Sequence, residues 1–410
     1  MKRRKDGHNG KMWYFLFMQI LIFSLILSLP LCAYAAETIP KFASQTIDDK
    51  ISIGYGLAIG DMDGDGKQDI LLADAKEFVW YKNPTWEKRT FAKLPGPRDN
   101  VCLAAQDIDG DGKVEIAVGG NWNPGETTDE AQSGSVHYLI RPKEAGAMWE
   151  AVELPHEPTV HRMRWVQDNQ KAWTLVVLPL HGRGNKDGAG DHGVKIQAYY
   201  PPSNPSGATE WKIETVDQSM HVTHQLDVDA VFGGIVVGGK EGLIQSGIKA
   251  PTQVLSLQDA KESPLPPRPF AGIGEIRCFE YGKFAAIEPF HGNLLTVYDV
   301  TNDGQKRDRI VLDDQLAQGH ALGCATFFGE KPTQQIVAGW REPNAAGKFG
   351  IKIYWKTAEG PWTNAWVDEN KMACEDLKIA DLNGDGKPDI IASGRSTKNV
   401  VIYWNRAGDP

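Results

Sequence analysis

Two sets of side chains in this 410-residue sequence have the types and the spacing for chemistry. The first is acidic. Asp61, Asp63, Asp65 and Asp69 stand at positions 1, 3, 5 and 9 of a turn punctuated by Gly64. The pattern returns as Asp107, Asp109, Asp111 and Glu115 around Gly110, and as Asp381, Asn383, Asp385 and Asp389 around Gly384. Oxygen ligands alternating along a tight turn, with glycine allowing the curvature, are what Ca2+ takes. Each loop would be closed by its own carboxylates, so calcium is expected here as a structural cofactor. The second set is cationic and imidazole-rich: His161, His181, His224, His291 and His320, with Lys240, Arg164, Arg341 and Arg395, and with Tyr55 and Glu375 beside them. Imidazoles can take a proton from carbon next to a carbonyl, and Lys or Arg can hold the enolate that forms. Two or three of the histidines with Glu375 are equally a ligand set for a second divalent metal, one that polarises the carbonyl.

The elements that would position these groups follow from internal repeats. LAIGDMDGDGKQDILLAD from Leu57, LAAQDIDGDGKVEIAVGG from Leu103 and LKIADLNGDGKPDIIASG from Leu377 each read as strand, acidic turn, strand. Four degenerate copies start at Met163, Leu226, Ile276 and Leu322. Aligned on the second strand, the seven copies fall at Ile70, Ile116, Val176, Ile235, Ala286, Ile336 and Ile390, spaced 46 to 60 residues apart. A third strand follows each pair, as in FVWYKN from Phe78, and a fourth, as in WEKRTFA from Trp86. No segment holds a helical period for three turns. Four-stranded units at this period predict an all-β, seven-bladed β-propeller over residues 36–410, with no second domain. The last unit stops at its third strand, and KFASQTID from Lys41 resembles the fourth strands. The N-terminal strand is therefore expected to complete the seventh blade and remove the open edge.

The acidic turns resemble those of FG-GAP and VCBS-type repeats, and that resemblance implies calcium bound between adjacent strands of a blade. Blades three to six lack the acidic set, and for them plain turns are expected.

Propeller geometry then gathers the second set. Residues just before a first strand and just after a second strand share one face around the central channel. The first register reads Tyr55, Val101, His161, His224, Gly274, His320 and Glu375; the second reads Ala75, Asn121, His181, Lys240, His291, Arg341 and Arg395. Arg164 lies two residues into its strand, with Arg277 as its analogue. Five of the nine histidines beyond residue 35 fall into these registers. The expectation is a funnel in which His161, His224, His320, Lys240, Arg164 and Arg341 are catalytic, while Tyr55, His181, His291, Glu375 and Arg395 bind substrate. There is no phosphate-binding loop, no serine nucleophile motif and no dinucleotide fingerprint.

His161-Arg162-Met163-Arg164-Trp165, Pro179-Leu180-His181-Gly182, His224-Gln225-Leu226, Gly239-Lys240-Glu241-Gly242, Gly319-His320, Gly339-Trp340-Arg341 and Ala373-Cys374-Glu375-Asp376-Leu377 recur in a particular order. In that order they resemble the propeller domain of the aldos-2-ulose dehydratase (1,5-anhydrofructose dehydratase) family, over the whole span after residue 35. The resemblance implies a carbon–oxygen lyase acting on a keto-sugar or 3-keto-glycoside by α-proton abstraction and β-elimination, with a small carbohydrate as partner. The dehydratase carries cupin domains after its propeller, and the residues up to Pro410 supply none. The competing expectation is a non-catalytic, calcium-stabilised propeller that binds a glycan or a protein.

Residues 1 to 35 read as a targeting segment. Lys2, Arg3, Arg4, Lys5 and Lys11 precede an apolar run from Met12 to Leu31, and Ala33-Tyr34-Ala35 offers a signal-peptidase site. Export to the periplasm or medium is expected, with membrane contact only if this segment stays uncleaved as an anchor. Setting it aside removes five basic residues and one acidic residue from the chain's 44 and 53, leaving a formal charge of −13. Such acidity without a basic tract argues against nucleic acid as a partner. Cys102, Cys278, Cys324 and Cys374 sit in apolar strand contexts at no zinc spacing and read as buried thiols, with one bridge conceivable in an exported chain.

Overall fold

Short apolar runs bounded by turns set the strands. DILLA over Asp69–Ala73 and GIVVGG over Gly234–Gly239 are buried along their whole length, as central strands of packed sheets must be. The computed structural model describes residues 40–408 apart from 169, 187–189, 204–210, 230–233, 248–252, 257–260, 263–270, 281, 301–306, 330–333 and 357–359. The expected targeting segment lies outside the described residues. Among the described residues no helix is long and apolar enough to cross a membrane.

The strands form seven antiparallel blades of four. Their first strands are Gly56–Gly60, Cys102–Gln106, Val160–Gln167, Thr223–Asp229, Glu275–Glu280, Gly319–Ala325 and Cys374–Ala380. Each packs against the first strand of the next blade, and the seventh packs against the first, so the ring closes. The fifth blade also carries the two-residue strand Lys261–Glu262, paired parallel to Arg307–Asp313. Closure occurs as the sequence predicts. Phe42–Asp48 pairs antiparallel with Val400–Asn405, from Phe42 opposite Asn405 to Asp48 opposite Val400, and supplies the fourth strand of blade seven. The four cysteines beyond residue 35 are free thiols, Cys102 and Cys374 buried and Cys278 and Cys324 partly so.

The core is divided among the interfaces between blades. Each apolar cluster joins two consecutive blades, including blade seven to blade one through Ile51, Leu57, Tyr81, Ile391 and Ile402. Tyrosines on third strands clasp neighbours in a repeated way. Tyr81 donates to Asp48 at 2.7 Å, Tyr354 to Asp313 at 2.7 Å and Tyr403 to Asp368 at 3.0 Å, each carboxylate standing near the end of the preceding blade's fourth strand.

One carboxylate gathers three successive backbone donors of the segment that links the closing strand to blade one, which Ser393 and Lys398 of blade seven also hold through its carbonyls. Asp74, 3% exposed, accepts from the backbone N–H groups of Ser52 at 2.8 Å, Ile53 at 2.7 Å and Gly54 at 3.1 Å. Asp74→Ala leaves these donors without their acceptor, one of them buried and two nearer solvent, and is expected to cost about 1–3 kcal/mol in urea unfolding. A loss below about 0.5 kcal/mol, the range of ordinary surface changes, would contradict this account of closure.

Candidate functional site

In four blades the pairing of the first and second strands slips at one equivalent point. The register jumps from Val160 to Arg162, from Thr223 to Gln225, from Gly319 to Ala321 and from Cys374 to Asp376. The residues passed over are His161, His224, His320 and Glu375. A bulge leaves one residue out of the ladder and re-aims its side chain, and all four of these side chains line the central funnel. Blades one and two pair without a slip at this point. Blade five has Gly274 there, where a Cβ would stand 3.1 Å from the backbone N of His291. That blade delivers its histidine from after the second strand instead. His291 has φ 46°, a left-handed conformation that costs a non-glycine residue about 1–3 kcal/mol.

The bulged residues are linked from blade to blade through their own backbone. His161 Nδ1 lies 3.0 Å from the carbonyl of His224, His224 Nδ1 lies 2.7 Å from that of Gly274, and His320 Nδ1 lies 2.6 Å from that of Glu375. A carbonyl can only accept, so each Nδ1 carries a hydrogen and each ring turns its Nε2 the other way. His161 agrees independently: its Nε2 faces the guanidinium of Arg162 at 3.0 Å, which can only donate. Nitrogens of His224, His291 and His320 lie within 4.8 Å of one another, and His224 Nε2 is 2.8 Å from His291 Nε2. Burial, followed by the charge of Arg162, holds His161 well below the ordinary imidazole value, and burial followed by Arg341 does the same to His320. Burial, then His224, pushes His291 down to about 2. These three rings are therefore neutral at working pH. The contact between Nε2 of His224 and Nε2 of His291 needs one hydrogen, and with that of His224 on Nδ1 it is His291 that donates.

The funnel has a volume of about 410 Å³. Next to His320, buried Glu375 is clamped by Arg341 Nη1 at 3.1 Å and Arg395 Nη1 at 2.9 Å. The Arg395 guanidinium also lies 5.4 Å from the centroid of the Tyr55 ring, whose hydroxyl reaches Asp99 at 3.3 Å. Burial raises the Tyr55 phenol above its ordinary value. Trp122 stacks on His161 with ring centroids 5.1 Å apart, and Phe290 meets His224 edge-on at 5.9 Å.

The structure brings His161, His181, His224, His291, His320, Arg341, Arg395, Tyr55 and Glu375 to one wall-to-wall site. Two of the expected residues are placed elsewhere. Lys240 is exposed and does not line the funnel. Arg164 faces a separate cavity further along the channel, because two residues along a strand keep the face but add about 6.6 Å of depth. Arg162 occupies the funnel in its place. Trp122, Pro124 and Phe290 were not expected. They come from segments after second strands, where no repeat carries a signal; the adjacent polar pair His161-Arg162 at a strand start was the available hint for Arg162.

The acidic turns are built as their spacing suggests. In blade one Asp61 accepts from the N–H groups of Gly64 at 2.6 Å and Gly66 at 2.7 Å, while Asp69 receives those of Met62 at 3.0 Å and Asn83 at 2.7 Å. Asp61, Asp63 and Asp69 converge within 4.8 Å, as do Asp107, Asp109 and Glu115. In blade seven Asp381 caps Gly384 and Gly386 at 2.8 Å each, and Asp389 ties Leu382 to Asn405. Burial lifts Asp69 and Asp389 to about 6 and Glu115 to about 7. In blade one Lys82 already bridges Asp63 and Asp65, so an ammonium stands where cationic charge is wanted.

Residues 42–118 match the family model described as FG-GAP-like repeat. No curated protein matches the sequence. The fold is similar to a chain in the crystal structure of the Mitotic Checkpoint Complex, with a TM-score of 0.55 and 11% identity, covering 93% of this chain and 98% of that one. It is similar to a chain in the mercury-soaked crystal structure of BBS1N in complex with ARL6DN, with a TM-score of 0.55 and 14% identity over 90% of this chain and 97% of that one. It is also similar to the Myceliophteria thermophila Cps50 (Swd1) β-propeller domain, with a TM-score of 0.51 and 10% identity over 88% and 99%. At these identities the likeness to the solved structures is one of fold alone, that of a β-propeller.

Glu375 is 2% exposed and neutralises two guanidinium groups, one of them largely buried. Removing one partner of a buried ion pair strands the other charge. Glu375→Ala is expected to lose about 3 kcal/mol in urea unfolding, and Glu375→Gln visibly less, because the amide oxygen still accepts. Equal losses for the two variants would contradict the clamp.

Proposed function

We propose that the funnel is the active site of an exported lyase that acts on a keto-sugar or 3-keto-glycoside. The observation that carries this reading is the convergence of nitrogens of His224, His291 and His320, two of these rings oriented by Nδ1–H bonds to backbone carbonyls, beside two arginines and a tyrosine. The trio fits a zinc-type divalent ion: imidazole nitrogens select such metals, and the carbonyl-held Nδ1–H of His224 and His320 is the usual support for a histidine ligand. Bound there, the ion would supply Lewis-acid polarisation of a substrate carbonyl.

The protein's own groups account for the rest. His161 is capped by Arg162 and stacked by Trp122, so its part is to position its neighbours. His181, half-buried on the funnel wall and outside the trio, is the imidazole we assign to take the proton α to the ketone. The C–H electrons become those of an enediolate, and their return expels the β-hydroxyl as water or the β-glycosidic group as an alcohol after protonation. The product is an α,β-unsaturated ketone. Arg341 and Arg395, held by Glu375, present guanidinium hydrogens to the substrate oxygens, and Trp122 and Phe290 wall off water. The likeness of the quoted motifs to aldos-2-ulose dehydratase supports the same substrate class.

Purified protein incubated with keto-sugars and keto-glycosides is expected to generate enone absorbance. His224→Ala should lose both turnover and the zinc measured by elemental analysis. His181→Ala should keep the metal and lose turnover by about 10²-fold or more, the usual contribution of a positioned base. A wild type inert towards a broad panel with zinc supplied would sink the lyase reading and favour a binding propeller.

The acidic turns of blades one, two and seven are proposed as structural Ca2+ sites. Chelation is then expected to lower the melting temperature by several degrees, about 4 °C for each kcal/mol lost at most in a chain of this size. Asp107→Ala should blunt that response. An unchanged melting temperature on chelation would rule out the structural role.

A further inference from the structure

Beyond the histidines the channel continues past a polar layer. Arg162 Nε reaches Gln225 Oε1 at 3.2 Å, and Gln225 Nε2 donates to Glu275 at 2.6 Å. Two residues further along the first strands lies a second cavity of about 220 Å³ lined by Arg164, Asp227, Arg277 and Lys378, on blades three, four, five and seven. The equivalent positions in blades six, one and two are Gly323, Ala58 and Ala104, so charged side chains stand where the other blades leave space.

The charges here do not close. Lys378 is paired with Asp376 at 2.7 Å, and Arg277 Nη1 lies 3.6 Å from Glu275. Arg164 has no carboxylate within 4.0 Å among the described residues, and its hydrogen bond is to its own strand's Met163 carbonyl at 2.8 Å. Burial, then repulsion from Arg277, holds its guanidinium below the ordinary value against the partial opposing pull of Asp376 and Asp227, whereas at Arg277 burial is outweighed by Asp227, Glu275 and Asp376 together. Counting this layer with the one above, Arg162, Arg164, Arg277 and Lys378 face Asp227, Glu275 and Asp376, an excess of one positive charge in a chain that is otherwise acidic. A desolvated cation without a partner is costly, and the planar fork of arginine matches oxyanions.

We propose that this second cavity is a binding site for a small oxyanion of the sulfate, phosphate or carboxylate class, held by Arg164 and Arg277 with Lys378 in support. The anion would seal the channel beneath the funnel. The proposal is independent of the lyase reading, since Arg164, Arg277 and Lys378 do not line the funnel.

Sulfate is the probe, because it complexes calcium and zinc weakly. Titrated calorimetrically into the full protein in a chloride buffer of constant ionic strength, it should give one saturable site. Arg164→Met and Lys378→Met should each weaken it by about tenfold or more, as expected for loss of one charge-assisted hydrogen bond. Arg395→Met, in the funnel rim, should leave it unchanged. No saturable heat with wild type would overturn the proposal, as would binding unaltered in either cavity variant or abolished by Arg395→Met. Reading Arg164 and Lys378 separately keeps the test decisive if one variant fails to fold.

Discussion

The site depends on one repeated contact: an imidazole on a β-bulge donating its Nδ1 hydrogen to the backbone carbonyl of the equivalent residue in the next blade. The bulge supplies the donor in all three cases, because a residue left out of the ladder has a side chain free to turn inwards, and it supplies the accepting carbonyl at His224 and Glu375, while Gly274 accepts without one. Each bond contributes only about 1 kcal/mol to stability. Its larger effect is to select a tautomer and an orientation. With Nδ1 committed, the Nε2 lone pairs of neighbouring blades have one direction left, towards the funnel axis. A regular ladder at the same point would send the side chain to the other face, since side chains alternate strictly along a strand.

This contact also divides the ring into two kinds of blade. Blades one and two pair regularly, carry acidic turns and contribute little chemistry to the funnel beyond Tyr55. Blades three, four and six have given up the acidic turn and carry a bulged histidine. Blade seven keeps both features, an acidic turn at one end of its first strand and bulged Glu375 at the other. Blade five reaches the funnel from its second strand, and the strained backbone of His291 is the cost of doing so. Packing between blades does not distinguish the two kinds: every interface has its own apolar cluster, so the scaffold is uniform while the rim varies.

Much of this was legible in the sequence because blades repeat. The three acidic copies fixed the period, the missing fourth strand of the last unit pointed to Lys41–Asp48, and the register before each first strand named His161, His224, His320 and Glu375. What escaped was depth and pairing. Alternation tells which face Arg164 shares with Arg162 but not which of them reaches the funnel, and it cannot show that the ladder slips at His161, just before them. Lys240 failed for a related reason: its register is right, yet the turn that follows it leaves the side chain exposed. The aromatic walls, Trp122 and Phe290, stand in segments whose length differs from blade to blade, so no alignment of repeats could place them.

The most direct test of the account is the ring tautomer of the histidines, read from long-range proton–nitrogen correlation spectra of protein labelled at histidine nitrogen and freed of metal. The account predicts that His161 and His320 are neutral with the hydrogen on Nδ1 and that His224 carries a hydrogen on Nδ1, their signals assigned by single substitution. Finding the hydrogen on Nε2, or rapid exchange between the two forms, would contradict it.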